Sequence, residues 1–281
     1  MISGGTHAIQ LGDFRVTILD MYGIPEKLSK LIDAPADERS AEDEAVLARE
    51  EELPVQCILV QGPGISVLVD AGDYEAALDG AKRTNYHPPD LLSRLAHIGV
   101  RPEGIGHVVI THGHGDHYNA LTVARGDQRQ LTFPDAHCYL GSGDWENPER
   151  QAALGDANSL DGRTLGVLSQ HGRLVPVAGD QSLGPGVTIV ATPGETPGHQ
   201  ALRVSSGGQT LYCVGDLYHH PIEVVHSAWM VPWANRDANL QSRRAVSEAA
   251  LAEDALLIAT HIRGVGQLRS YGAGVEWVDV T

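Results

Sequence analysis

The sequence predicts an α/β protein, and three observations carry that prediction. Short runs of β-branched and aliphatic residues recur at 106–111, 210–215 and 255–260, the composition of strands buried on both faces. Each run ends in side chains able to bind a metal, namely His112, Asp216 and His261. Between them lie segments with helical spacing, and 281 residues are enough to bury one sizeable core.

Taken in order, Phe14–Leu19 alternates as an early strand. Residues 24–53 are charged and helix-prone, with Ala41 through Glu52 dominated by Ala, Glu and Leu. They read either as a solvated helix or as a lid or dimer element over a pocket. Gln56–Val60 and Ser66–Asp70 flank Gly62-Pro63-Gly64 and read as a hairpin. Leu91, Leu92, Leu95 and Ile98 recur at helical spacing, so Asp90 to Gly99 is a core-facing helix, started by Pro88-Pro89-Asp90 and ended by Gly99. Leu121–Ala124 reads as a helical continuation after the 111–117 segment. Asn239 to Glu253 is a further helix, with Arg236, Arg243 and Arg244 placed on its solvent side. The glycine-rich stretch Gly264–Gly274 has neither the strand-to-helix context nor the lysine of a phosphate loop.

Composition narrows the partners. Twenty Lys and Arg against 36 Asp and Glu give a net charge of −16, which disfavours a phosphate backbone. The chain has no basic stripe and no run of eighteen apolar residues, so neither nucleic acid nor a membrane is expected as a partner. The amino terminus lacks the basic start and apolar core of a signal peptide. Cys57, Cys138 and Cys213, an odd count in apolar runs, read as buried reduced thiols and a cytoplasmic location.

The chemistry is concentrated in Thr111-His112-Gly113-His114-Gly115-Asp116-His117. Three imidazoles and a carboxylate lie within six positions, and the intervening glycines let the backbone turn so that they converge. Imidazole nitrogen suits zinc and other first-row divalent ions, and the carboxylate adds a hard oxygen. The cluster follows a buried strand, at the carboxyl end where open α/β sheets place their sites. This reads as a metal site.

The heptapeptide resembles the His-x-His-x-Asp-His hallmark of the metallo-β-lactamase superfamily. The resemblance spans roughly residues 55–265 and implies one domain over 1–281, folded as a four-layer αββα sandwich. The segment 191–199 is similar to the family's Thr-Pro-Gly-His-Thr-Pro-Gly-His loop, so His199 would join His112 and His114 on a first metal. Glu195 stands where many members carry histidine, a departure expected to touch the surroundings of the metal and not its ligands. Asp116, His117 and His261 would hold a second metal, with Asp216 bridging. Asp70-Ala71-Gly72 resembles the family's Asp-Thr-Gly, whose carboxylate orients a histidine of the cluster; a strand-end turn cap is the alternative.

The seven ligand positions imply a hydrolase with a hydroxide held between two metals, roughly 3.5–4 Å apart in such sites. Zinc is the leading expectation, with iron, manganese or cobalt acceptable to the same donors. Asp216 separates the chain from true β-lactamases, which lack that carboxylate. The stretch Gly215-Asp216-Leu217-Tyr218-His219-His220-Pro221 is similar to the methyl-parathion-hydrolase-like branch, near the acyl-homoserine lactonases. Those lactonases place a tyrosine three residues beyond the aspartate; here His219 holds that position, with Tyr218 just before it.

His219 is therefore expected to donate a hydrogen bond to a developing oxyanion or leaving oxygen, or else to brace a ligand, with Tyr218 beside it as a further catalytic candidate, and Asp116 to shuttle a proton. Trp229 and Trp233 line a pocket wall or pack a core. The implied reaction is opening of a lactone or cleavage of a related ester on a small molecule, in a possible homodimer. Organophosphate or thioester hydrolysis, a mononuclear-iron persulfide-dioxygenase-like oxidation and a non-catalytic scaffold are the alternatives.

Overall fold

Alternation within the apolar runs decides the architecture. In 108–110, Val109 packs with one set of residues while Val108 and Ile110 pack with another; Leu211 and Cys213 part from Tyr212 and Val214 in the same way. A strand whose two faces are both apolar must be covered on both sides. The computed structural model, which describes residues 5–72, 91–126, 128–272 and 274–280, meets this demand with two sheets.

The first sheet opens with β1 (Thr6–Leu11), β2 (Phe14–Lys27), β3 (Glu50–Gly62), β4 (Ile65–Val69) and β5 (His107–Ile110). A separate ribbon of β6 (Thr122–Arg125) and β7 (Gln128–Leu131) follows. The chain then returns to the sheet with β8 (His137–Gly141) and β9 (Leu174–Val177), giving the order β1-β2-β3-β4-β5-β8-β9. The second sheet is built wholly from later residues: β10 (Gln181–Gly184), β11 (Val187–Ala191), β12 (Gln200–Ser206), β13 (Gln209–Gly215), β14 (Leu256–Ala259), β15 (Gly266–Tyr271) and β16 (Gly274–Asp279), paired in sequence order.

Val16, Ile18, Val67, Val69 and Val109 of the first sheet meet Ile189, Leu202, Leu211, Cys213 and Ile258 of the second in a shared inner core. The outer face of the first sheet is covered by Leu91 and Leu95 of helix Leu91–His97 and by Leu165 and Leu168. The outer face of the second is covered by Val246 and Ala250 of helix Arg236–Glu253. The four layers are thus α, β, β and α, in one domain. Cys57, Cys138 and Cys213 are all buried free thiols.

Pairing direction puts the functional ends together. β4 and β5 are parallel, and so are β13 and β14, so Asp70, the 111–117 loop, Asp216 and His261 all emerge at carboxyl ends of neighbouring strands. β12 runs antiparallel to β13, which brings its leading residue, Gln200, and the preceding His199 to the same rim. Gln200 ties the sheets there: its backbone N–H donates to Thr111 O (2.8 Å) and its Nε2 to Ile110 O (2.9 Å). Gln56 does the same beside His261, donating from Nε2 to Ala259 O (2.8 Å) and Ile262 O (2.7 Å).

Three sequence expectations are corrected. The helix-prone segment 24–53 is not one long helix: β2 and β3 extend into it with Lys27 opposite Glu50, leaving the short helices Leu28–Leu31 and Ala41–Leu47. Ladder pairing and burial of Leu53 override the helix propensity of Glu50–Glu52. The latter helix starts on a Ser40–Asp43 capping box and ends where Leu47 packs with Leu28, Ile222 and Trp229. Thr122–Ala124 is strand and not helix, because β7 folds back to pair with it. Arg243 is buried and not on the solvent side. The start expected at residues 88–90 lies outside the described residues, while the helix does end before Gly99, whose φ is +76°.

Candidate metal centre

The heptapeptide turns sharply off β5, and one carboxylate organises the turn. Asp70, at φ 58° just past β4, accepts from Thr111 N (2.7 Å), Thr111 Oγ1 (2.9 Å) and His117 Nδ1 (2.8 Å). It is therefore the histidine-orienting carboxylate. Because the Nδ1 proton of His117 goes to Asp70, the Nε2 lone pair faces the cluster. Two other histidines are set in the same way, His199 by Thr192 O (3.0 Å) and His261 by Pro54 O (2.8 Å).

Asp216 is the hub. Its Oδ2 lies 3.1 Å from His261 Nε2, 3.3 Å from His219 Nε2, 3.4 Å from His117 Nε2 and 3.7 Å from His112 Nε2. Asp116 reaches from the other side, 3.6 Å from His117 Nε2 and 3.7 Å from His261 Nε2. His114 stands farther round, with Nδ1 3.0 Å from His112 Nε2. His199 packs its ring 5.3 Å from that of His112, and its Nε2 accepts from Asp216 N at 3.2 Å. Gly215 makes this approach possible: its φ is +54°, and a Cβ there would sit 2.7 Å from the Thr111 side chain and 2.9 Å from His199 Nε2.

The electrostatics match a cation site. Burial drives His112 well below the ordinary histidine range. Burial opposes ionisation of Asp216, yet His261, His117 and His112 outweigh it and hold the carboxyl well below its usual range. His117 resists burial and is pushed well above its range by Asp216, Asp116 and Asp70. His117 Nε2, Asp216 Oδ1 and Glu195 Oε2 are buried with no hydrogen-bond partner among the described residues. Unpartnered buried imidazole and carboxylate atoms aimed at one space are what a bound cation satisfies. Four overlapping groups have donor atoms close enough to share an ion: His112–His114–Glu195, His112–His117–Asp216, Asp116–His117–His261 and Asp216–His219–His261. Divalent metals fit this donor chemistry.

All seven ligand-type residues expected from sequence thus reach one rim, although the donor atom of His199 enters none of those four groups; two neighbours, Glu195 and Tyr218, fall differently from expectation, and the two tryptophans divide between their two readings. Glu195 is not peripheral: its carboxylate lies 3.2 Å from both His112 Nε2 and His114 Nδ1. Tyr218 does not face the cluster. Its hydroxyl is committed to Ser247 Oγ (3.0 Å) and its ring to the Arg243 guanidinium, because helix Arg236–Glu253 closes over it. Trp229 is a packing residue whose Nε1 donates to Glu38 Oε2 (3.0 Å), whereas Trp233 is half exposed at the site, edge-on to His114 and His219.

Sequence reasoning missed two buried braces. Asp144 accepts from Gly113 N (2.7 Å), Thr196 Oγ1 (2.7 Å) and Gly198 N (2.9 Å), clamping the heptapeptide to the 192–199 loop. Glu223 accepts from His220 N (3.0 Å) and His219 N, and pairs with Arg243 Nη2 at 2.7 Å. Neither sits in a motif; the only signal was an acidic residue in an otherwise packed stretch.

A double sheet with an imidazole–carboxylate cluster along its rim defines the class: an αββα protein with donors for divalent metal. The family model of the metallo-beta-lactamase superfamily matches residues 51–261, and the chain belongs to that superfamily. An N-acyl homoserine lactonase of Bacillus sp is 26% identical over 167 residues, 55% of this chain and 60% of the relative. A probable metallo-hydrolase of Mycobacterium bovis is 29% identical over 189 residues, 58% of this chain and 56% of the relative. The matched region spans somewhat over half the length of these curated relatives. Among solved structures, the hydrolase AbOPH of the beta lactamase superfamily superposes with a TM-score of 0.80 at 18% identity, covering 100% of this chain and 99% of its own. AidC, a dizinc quorum-quenching lactonase solved with a homoserine product, gives 0.75 at 22% identity, covering 99% and 98%. At these identities the structural likeness is one of fold. Among the described residues no helix is long and apolar enough to cross a membrane.

Proposed function

We propose that this chain is a dinuclear metal-dependent hydrolase that opens a lactone, or cleaves a related ester, of a small molecule. The observation that carries the reading is the hub: one buried carboxylate oxygen of Asp216 within 3.7 Å of four imidazole nitrogens, with Asp116 completing the ring. His112, His114 and His199 would hold a first ion, Asp116, His117 and His261 a second, with Asp216 shared. Zinc is favoured, and iron, manganese and cobalt suit the same donors. When bound, such a pair supplies a water-derived nucleophile at neutral pH and polarises the electrophile.

The chain's own residues do the rest. Asp116 is the most exposed carboxylate of the cluster, at 19% of its side chain, so its free oxygen can take a proton from the attacking side and return it to the leaving oxygen. His219 points Nε2 into the cluster from a backbone fixed by Glu223, placing an N–H donor where an oxyanion or leaving alkoxide develops. In the metal-free chain burial works against its protonation, while Asp216 and Glu223 push its pKa up to about 10. The half-exposed Trp233 offers an apolar wall for an acyl chain. The lactonase among the sequence relatives supports a lactone as the leading substrate class.

The test is a panel of acyl lactones, aryl esters, thioesters and phosphotriesters with metal-reconstituted protein, alongside metal analysis. Lactones should be the best substrates, with two ions per chain. A single tightly bound ion in fully active protein would refute the dinuclear centre. Asp216→Ala should lose most turnover and one equivalent of metal.

A further inference from the structure

The geometry points to Glu195 as a direct carboxylate donor to the ion held by His112 and His114, oriented by the Trp233 indole. The inference rests on the metal-dependent reading above and adds a ligand to it. Sequence resemblance gave that position no ligand role. Yet the Glu195 side chain is fully buried, and an ionised carboxylate is not left in such a place without compensation. Among the described residues it has no Lys or Arg partner; the ionisable groups beside it are two imidazoles, each 3.2 Å away: His112 Nε2 from Oε2 and His114 Nδ1 from Oε1.

The two oxygens are not equivalent. Oε1 accepts from Trp233 Nε1 at 2.7 Å, a bond that fixes the plane of the carboxylate. Oε2 has no hydrogen-bond partner among the described residues and is buried facing the same ring nitrogen that turns toward Asp216. His112 Nε2 and His114 Nδ1 face each other at 3.0 Å with Glu195 completing a triangle of donor atoms. Three lone-pair-bearing atoms within one ion's reach, two nitrogen and one oxygen, form a site for a divalent cation. The indole plays the part that a carboxylate or carbonyl plays behind a ligating histidine, holding the donor so that one lone pair is aimed. Here Glu195 supplies a donor in addition to His199, and it brings a third carboxylate to a cluster that otherwise has Asp116 and Asp216.

The experiment compares wild type with Glu195→Gln and Trp233→Phe in apo-protein titrated with Zn2+ and Co2+ against a competing chelator, with bound metal counted by mass spectrometry. Glu195→Gln should weaken one of the two metal equivalents by about 100-fold and leave the other unchanged, and Trp233→Phe should weaken the same equivalent by about 10-fold. Cobalt gives a second readout, because its visible bands follow donor type and coordination number. Those bands should shift in Glu195→Gln, and circular dichroism of the apo-proteins should superimpose. Two equivalents bound with unchanged affinity and an unchanged cobalt spectrum in Glu195→Gln would overturn the assignment and leave the dinuclear reading standing. A wild-type chain that takes up no divalent ion would overturn both.

Discussion

Removing the guanidinium of Arg243 tests how the site is braced. Arg243 is buried and its contacts are all internal: Nε to Leu217 O (2.9 Å), Nη1 to Ser227 O (3.0 Å) and Trp229 O (2.5 Å), and Nη2 to Glu223 Oε1 (2.7 Å). Arg243→Met keeps the aliphatic bulk but strands a buried carboxylate. Burial raises the Glu223 carboxyl, yet the nearby Arg243 and His219 hold it at about 2, below its ordinary 4.5. That depression converts to roughly 3 kcal/mol of native-state stabilisation. Breaking a buried pair from one side costs about 3–5 kcal/mol by mutagenesis, the same order of magnitude.

The folded-state pKa is depressed, so this stabilisation is present above the ordinary carboxylate range and lost as pH falls through about 2. Urea unfolding at neutral pH should show Arg243→Met destabilised by about 3–5 kcal/mol. The deficit should shrink in acid, and the double variant Glu223→Gln/Arg243→Met should recover part of it. A cost below about 1 kcal/mol, or a double variant no better than the single, would refute the buried-pair reasoning.

Three further outcomes follow. Asp70→Ala removes the acceptor shared by Thr111 and His117 and should lower metal affinity by about 10–100-fold in a chelator competition, with the fold retained by circular dichroism. Stripping metal with a chelator should lower Tm, because an ion at 100 times its Kd contributes about 2.7 kcal/mol per site; a melting curve unmoved by chelator would contradict the centre. Burial pushes the Cys138 thiol up to about 12 and drives Cys57 and Cys213 upward as well. Native protein should therefore resist a thiol reagent at about pH 8 and react at all three cysteines only after denaturation.

Much of this was legible in the sequence, and the residues say why. His112, His114, Asp116 and His117 are close in sequence, so spacing alone exposed them. Asp216 and His261 each terminate an apolar run whose β-branched composition marks a buried strand, and it was the resemblance to the family's ordered motifs that singled them out as ligands. Other features depended on tertiary contacts that no local pattern encodes. Glu50–Glu52 favour helix by composition, but pairing with β2 makes them strand. Arg243 has the spacing of an exposed helical residue, and only the arrival of Glu223 and three carbonyls makes its burial tolerable. Tyr218 is one residue from His219, yet successive side chains leave the backbone in different directions, and helix Arg236–Glu253 captures its hydroxyl.

The division of the sheets along the chain has one more consequence. Every strand of the first sheet precedes residue 178 and every strand of the second follows residue 180, so the backbone crosses between them once, through the exposed turn 178–180. Cutting that turn yields two polypeptides with complementary half-sets: His112, His114, Asp116 and His117 on one, Glu195, His199, Asp216 and His261 on the other. Neither piece carries a full complement of donors, and each exposes the apolar face the other covers. On the metal-dependent reading proposed above, their reassembly would become a two-component switch with a divalent ion as the clasp.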